Sequence, residues 1–168
     1  MYYFMEENTP QTVFGFIFGE SSTGSYQYYD GSTSGGRFGI PDSIKEVTVL
    51  GGTLRYGAFS NCTSIEKITL PSEGILTIPG NAFYNCNSLR SLNIPNSVTE
   101  FGYHAFQRIN CLEELYVPSG LTNIASYAFF ETKIDKVIIS DVDAWCGIEF
   151  TDVRSNPLYE TGAKLYLN

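Results

Sequence analysis

The residues of this chain with most chemistry to offer are four cysteines, one histidine, a close pair of aspartates and a glycosylation sequon. Zinc would need several Cys or His ligands at characteristic spacing, such as C-x-x-C pairs. The chain has no C-x-x-C and only His104, so neither a metal nor any other cofactor is expected. A catalytic histidine needs a serine or cysteine nucleophile motif beside it. None accompanies His104, and the histidine reads as a turn residue grouped with Tyr56, Asn81 and Tyr127. Asp141 and Asp143 lack the further oxygens and the glycine of a calcium loop, so helix capping is the better reading. Asn61-Cys62-Thr63 matches the sequon, yet Asn85-Cys86 repeats its first two residues without the threonine, which points to a structural cause for the asparagines.

The elements that would position these residues follow from composition and period. With 18 Asp and Glu against 10 Lys and Arg, the formal charge is -8. Acids outnumber bases in each of the stretches 1–40, 41–140 and 141–168, so there is no basic footprint for nucleic acid. The longest apolar runs, such as Phe16 to Phe18 and Val137 to Ile139, fall far short of the roughly 20 residues that span a bilayer, and no membrane insertion is expected. The opening MYYFMEENTP lacks the basic and apolar regions of a secretory leader. A cytosolic protein or a trimmed fragment is the expectation from the residues alone. Sixteen glycines with 12 tyrosines and 12 phenylalanines favour turns and strands over a helical bundle.

One repeat organises the chain. Ala-Phe recurs at Ala58-Phe59, Ala82-Phe83, Ala105-Phe106 and Ala128-Phe129, at steps of 24, 23 and 23 residues. In the same phase, Ile65, Leu89 and Leu112 follow each Phe by six residues, and Pro71, Pro95 and Pro118 close short alternating runs, EKITLP, RSLNIP and EELYVP. KEVTVL at 45–50 and KVIIS at 136–140 are degenerate ends of the series. Alternation places Ile68 and Leu70, Leu92 and Ile94, Leu115 and Val117, and Val137 and Ile139 on one inward side. A second apolar pair follows each proline: Leu76 and Ile78, Val98 and Phe101, Leu121 and Ile124. One coil of about 23 residues cannot bury both its sides, so the coils must stack, with strands about 4.8 Å apart in a parallel ladder. Cys62 and Cys86 then occupy equivalent slots and read as buried free thiols rather than as a disulfide.

The same alternation fixes the outward face. Thr48, Thr69, Asn93, Tyr116 and Ile138 form one outward row, and Glu46, Lys67, Ser91, Glu114 and Lys136 a second beside it. A solenoid lyase or hydrolase would need carboxylates or bases converging on this surface, and neither an acid pair nor a basic trio occupies adjacent coils. The face reads instead as a binding surface. Tyr116 is its anchor, with Ile138, Asn93 and Thr69 beside it, and Lys67, Glu114 and Lys136 set orientation.

The units AFSNCTSIEKITLP, AFYNCNSLRSLNIPNSVTEFG and AFQRINCLEELYVPSGLTNIA resemble the BspA-like, or treponemal-type, leucine-rich repeat over residues 41–140. The third unit departs by placing Ile109 in the slot of Cys62 and Cys86, with Cys111 two places later; the fourth lacks Asn-Cys and is one residue short before Ile134. The resemblance implies a right-handed leucine-rich-repeat horseshoe, a β-rich solenoid with short parallel strands and few or no long helices. It also implies a bacterial cell-surface or secreted protein, a non-catalytic adhesion module that binds a host or neighbouring-cell protein or glycan. The alternative is a structural spacer carrying another functional region. Residues 1–40 read as a β-rich N-terminal cap with a mobile loop near 21–36, whose Tyr26, Tyr28 and Tyr29 are a second candidate binding site. Residues 141–168 read as a partial C-terminal cap: a helical turn capped by Ser140 or Asp141 with Trp145 as plug, then KLYLN as a further strand with no polar cap behind it, as in a longer array cut short.

Overall fold

The computed structural model describes residues 2–5, 25–28 and 37–168. Each coil has three sides. The first is a row of parallel strands: β1 (Tyr2–Met5), β4 (Glu46–Gly52), β5 (Lys67–Thr69), β7 (Ser91–Asn93), β9 (Leu112–Tyr116), β11 (Ile134–Ile139) and β13 (Lys164–Leu167). The second is a ladder of two-residue strands, β6 (Thr77–Ile78), β8 (Glu100–Phe101), β10 (Asn123–Ile124) and β12 (Glu149–Phe150), also parallel. The third is formed by the Ala-Phe turns. An antiparallel hairpin of β2 (Ser25–Tyr28) and β3 (Arg37–Ile40) precedes the coils. The backbone at Tyr26 and Tyr28 is therefore a paired strand, within the stretch expected to be a loop; Tyr29 and the rest of that loop lie outside the described residues.

The inward residues behave as the repeat predicts. Ala58, Ala82, Ala105 and Ala128 are fully buried, because a small side chain is all that fits where coils crowd. Phe59, Phe83, Phe106 and Phe129 stack along the axis, with ring centroids 5.7, 5.7 and 5.1 Å apart. Phe101 closes edge-on against Phe106 at 4.9 Å. Such rings bring the largest apolar area a residue can bury and add a favourable aromatic geometry. One pairing needs correction: Leu76 is 63% exposed and Ile75 is buried in its place. Ile75 lies three residues before Ile78, the same spacing as Val98 to Phe101 and Leu121 to Ile124. The first coil's extra residue is absorbed just before it at Gly74, whose φ is +87°.

The turn side explains two columns that sequence spacing left obscure. Two residues per turn adopt the left-handed conformation: Gly57, Asn81, His104 and Tyr127 before the Phe, and Asn61, Asn85, Arg108 and Glu131 after it. His104 therefore shares its slot with Gly57, and Tyr56 falls one residue earlier. Glycine and asparagine are the residues that tolerate this conformation best, which is the structural cause behind Asn61 and Asn85. Their side chains also bond between coils, with Asn85 Nδ2 donating to Asn61 Oδ1 at 2.8 Å. The left-handed residues aim alternate N–H groups along the axis. Gly57, Phe59 and Asn61 donate to the carbonyls of Gly80, Ala82 and Tyr84, and the same triplet recurs on the next two coil pairs.

The thiol slot is structural as well. Cys62 and Cys86 are fully buried, and Cys86 Sγ donates to the Phe59 carbonyl at 3.1 Å. Burial pushes the Cys86 thiol up to about 12 and Cys62 up as well, so both are poor nucleophiles. In the fourth coil Thr132 takes the slot and donates to the Phe106 carbonyl at 2.6 Å; in the third, Ile109 fills it with hydrocarbon. The last coil is finished by α1 (Val142–Cys146), whose N-cap is Asp141, its side chain accepting from the Ala144 N–H at 3.0 Å. Trp145 packs partly buried against the core and against Phe150, with centroids 5.6 Å apart. A 3-10 turn at Val153–Ser155 and α2 (Pro157–Thr161) lead into β13.

Candidate binding face

Strand alternation sends every second side chain of the parallel strands outward, and the observed register assembles the two expected rows. Thr48, Thr69 and Asn93 align across β4, β5 and β7, and Glu46, Lys67 and Ser91 align beside them. Tyr116 pairs with Ile138 across β9 and β11, as Glu114 does with Lys136. The seven sequence-predicted residues do not form one ladder, however. β7 and β9 are in contact without ladder pairing, so Lys67, Thr69 and Asn93 belong to the first half-sheet and Glu114, Tyr116, Lys136 and Ile138 to the second. The change coincides with the third unit, where the Asn-Cys turn is lost and the strand starts at Leu112, the position that Leu89 holds outside β7.

The two halves differ in chemistry. The first presents short polar and charged groups. The second presents Tyr116, 50% exposed, beside Ile138, and β13 extends the row with Tyr166, 44% exposed and in register with Ile138. Lys164 extends the second row from Lys136. Sequence spacing did not assign Tyr166 and Lys164 to these rows, because the helical excursion between β11 and β13 stretches the repeat to 28 residues. The alternation of KLYLN carries the signal once that insertion is discounted.

Charge in the second half is fixed by direct contact. Lys136 Nζ donates to Glu114 Oε1 at 2.8 Å, and the Tyr116 hydroxyl donates to Glu114 Oε2 at 3.2 Å. The Lys136 ammonium, followed by the Tyr116 hydroxyl, holds the Glu114 carboxyl below its ordinary range, and the carboxylate raises Lys136 and Tyr116 in return. Glu114 thereby holds the Tyr116 hydroxyl, and the ring stands in a defined place. At the C-terminal rim of these strands lies an open groove of about 200 Å³ bounded by Tyr116, Ile138, Pro118, Asn96, Ser140 and Asn168.

The other candidates are absorbed by structure. A ring nitrogen of His104 pairs with Gln107, and its imidazole stacks on Tyr127 and meets Tyr103 edge-on, while burial pushes its pKa down. Among the described residues no group of three or more His, Cys, Asp or Glu is placed to hold a metal ion, and no helix is long and apolar enough to cross a membrane.

No curated protein matches the sequence. Among solved structures the chain is similar to a leucine-rich repeat protein from Bacteroides ovatus ATCC 8483, at 17% identity and a TM-score of 0.48. The match covers 66% of this chain and 37% of that one, so this chain spans well under half the length of that protein. The family model for the BspA type leucine rich repeat region matches residues 23–146 in six copies, taking in every Ala-Phe turn and the strands between them. With most of its length matched in this way, the chain belongs to the BspA-type leucine-rich repeat family.

Proposed function

We propose that this chain is a non-catalytic binding module of a bacterial cell-surface or secreted protein, engaging a protein or glycan of a host or neighbouring cell through its strand face. Leucine-rich repeats are interaction folds, whose stacked strands offer a continuous rigid surface. The observation that carries the reading is the Tyr116–Ile138–Tyr166 row: two half-exposed aromatics flanking an aliphatic side chain on paired strands, beside the Glu114–Lys136 ion pair. Rigid exposed aromatics give large contact area at small entropic cost, and interface hot spots favour them. Surface location and adhesion rest on the family alone.

The test is a screen of immobilised host proteins and glycans against the intact chain, followed by substitution. Tyr116→Ala is expected to weaken binding by more than about 1 kcal/mol, as a hot spot does, with the melting midpoint unchanged. Unchanged affinity in that variant and in a Lys67, Glu114, Lys136 triple substitution would move the site off this face.

A further inference from the structure

We infer that the corner between the second ladder and the turns is a docking track for a proline-rich peptide in the polyproline II conformation, separate from the strand face. The column three residues before each repeat Phe reads Tyr56, Gly80, Tyr103, Ser126, large and small side chains alternating along the axis. Both tyrosines are 50% exposed, while Gly80 and its neighbours Pro79 and Gly102 form a half-buried bed between them. The packing keeps that bed bare: a Cβ on Gly80 would lie 3.0 Å from the Tyr56 ring, and one on Gly102 would lie 2.5 Å from the Gly80 nitrogen. The rings are held as well. Asn81 Nδ2 donates to the Tyr56 hydroxyl, and Tyr103 meets Tyr127 edge-on with centroids 5.8 Å apart. Exposed tyrosines fixed in this way make good interface anchors, since they lose little entropy on binding.

Spacing and hydrogen bonding select the ligand. The axial bonds stack the turns at the strand spacing of about 4.8 Å, so Tyr56 and Tyr103, two coils apart, recur at about 9.6 Å. A polyproline II helix has three residues per turn and rises about 3.1 Å per residue, which returns its side chains to one face every turn of about 9.3 Å. Every third residue of such a peptide therefore meets a tyrosine. The bed offers no spare acceptor: the carbonyls of Pro79, Gly80, Gly102 and Tyr103 already accept from the N–H groups of Ala82, Gly57, Ala105 and Asn81. The two phenols are donors, for the Tyr56 oxygen accepts from Asn81 and keeps its own proton to give, and the Tyr103 hydroxyl has no partner among the described residues. A proline-rich segment matches that set, because proline has no N–H and its carbonyls only accept. The hydroxyls of a sugar both donate and accept, and half of that capacity would go unmet. Charge does not enter the choice. Arg55 before Tyr56 and Glu100 before Phe101 are of opposite sign, as are Asp152 and Arg154 at the far end, where Arg154 stacks on Tyr127. Burial lowers the His104 pKa, so the imidazole beside Tyr103 is neutral at pH 7.

Fluorescence anisotropy on the intact chain tests the track, with labelled nonaproline as the probe and a glycine-serine nonapeptide and cellohexaose as controls. Nonaproline is expected to bind saturably, the glycine-serine peptide not to bind, and cellohexaose not to displace the probe. Tyr56→Ala and Tyr103→Ala should each weaken nonaproline by about tenfold. Tyr103→Phe, which keeps the ring and loses the donor, should weaken it by roughly threefold, and Ser91→Ala, exposed on the strand face, should leave it unchanged. Melting curves of each variant check the fold, and amide NMR of the parent needs no variant at all: nonaproline should shift the Gly80, Gly102 and Tyr103 signals and leave those of Tyr116 and Ile138 in place. No saturable binding, or binding indifferent to both tyrosine-to-alanine substitutions, would overturn the track. So would shifts confined to Tyr116 and Ile138, which would put the peptide on the strand face, or cellohexaose binding that depends on Tyr103 while nonaproline fails to bind.

Discussion

The turn side and the strand side of this solenoid are built from the same coils by opposite means. On the turn side the backbone does the joining: three axial N–H bonds per coil pair repeat from Gly57 to Phe130, and the left-handed residues that aim them tolerate few side-chain types. On the strand side the ladder is interrupted between β7 and β9, and the outward residues change from Thr and Asn to Tyr and Ile without disturbing the stack beneath. The comparison separates two duties. Order along the axis is held by the turns and the phenylalanine stack, which leaves the strand face free to differ from coil to coil.

The sharpest way to break this division is to attack the stack. Phe83→Ala should lower stability by roughly 3–5 kcal/mol, the cost of an unfilled aromatic cavity, read as a fall in the denaturant midpoint. A midpoint equal to that of the parent would show that the stack is dispensable. A smaller loss is expected where coils touch backbone to backbone. A Cβ on Gly102 would lie 2.5 Å from the Gly80 nitrogen and 2.8 Å from the Pro79 carbonyl carbon. Gly102→Ala should therefore cost about 1–3 kcal/mol through forced backbone displacement, measured by thermal melting.

Thr132→Val keeps the shape of the thiol slot and deletes the bond to the Phe106 carbonyl, so a loss of about 1 kcal/mol or somewhat more is expected. A matched loss in Cys86→Ala beyond its volume change would show that the slot works by hydrogen bonding in both coils. The smallest effect belongs to the strand face. Glu114 has a folded pKa below its unfolded one, so its pairing with Lys136 is fully present above the ordinary carboxylate range and is lost as pH falls through the lowered value. A carbon-detected NMR titration should show this midpoint, and Lys136→Met should move it upward with little change in melting.

The sequence revealed the interior more fully than the edges, for a physical reason. Inward positions are constrained by stacking, so Ala-Phe, the alternating pairs and the prolines keep phase, and buried Phe83, Leu92 and Ile124 stand where the period places them. The helix cap at Asp141 was legible because capping is a local interaction. Leu76 was misplaced because a one-residue insertion left two adjacent apolar residues, and only the three-residue spacing in the other coils selects Ile75. Tyr166 and Lys164 escaped the outward rows because the excursion after β11 breaks the period. The groove was not visible at all: Asn96, Ser140 and Asn168 come from three coils and converge only when the strands are in register.

The ladders also set how this chain reaches its fold. From β4 onward they join residues separated by about one coil, Glu46 to Lys67, Lys67 to Ser91, Thr77 to Glu100 and Glu114 to Lys136, so each of these pairings closes a loop of similar, modest length. Loop-closure entropy rises only slowly with length, and from β4 onward no strand pairing has to wait for a distant partner; the pairing of β1 with β4, Tyr2 to Thr48, is the longer exception. Folding can start at any adjacent pair of coils and advance along the axis one coil at a time. The unpaired junction of β7 and β9 is where that advance gains fewest backbone bonds on the strand side, so there the turn side and the β6–β8–β10 ladder carry the continuity.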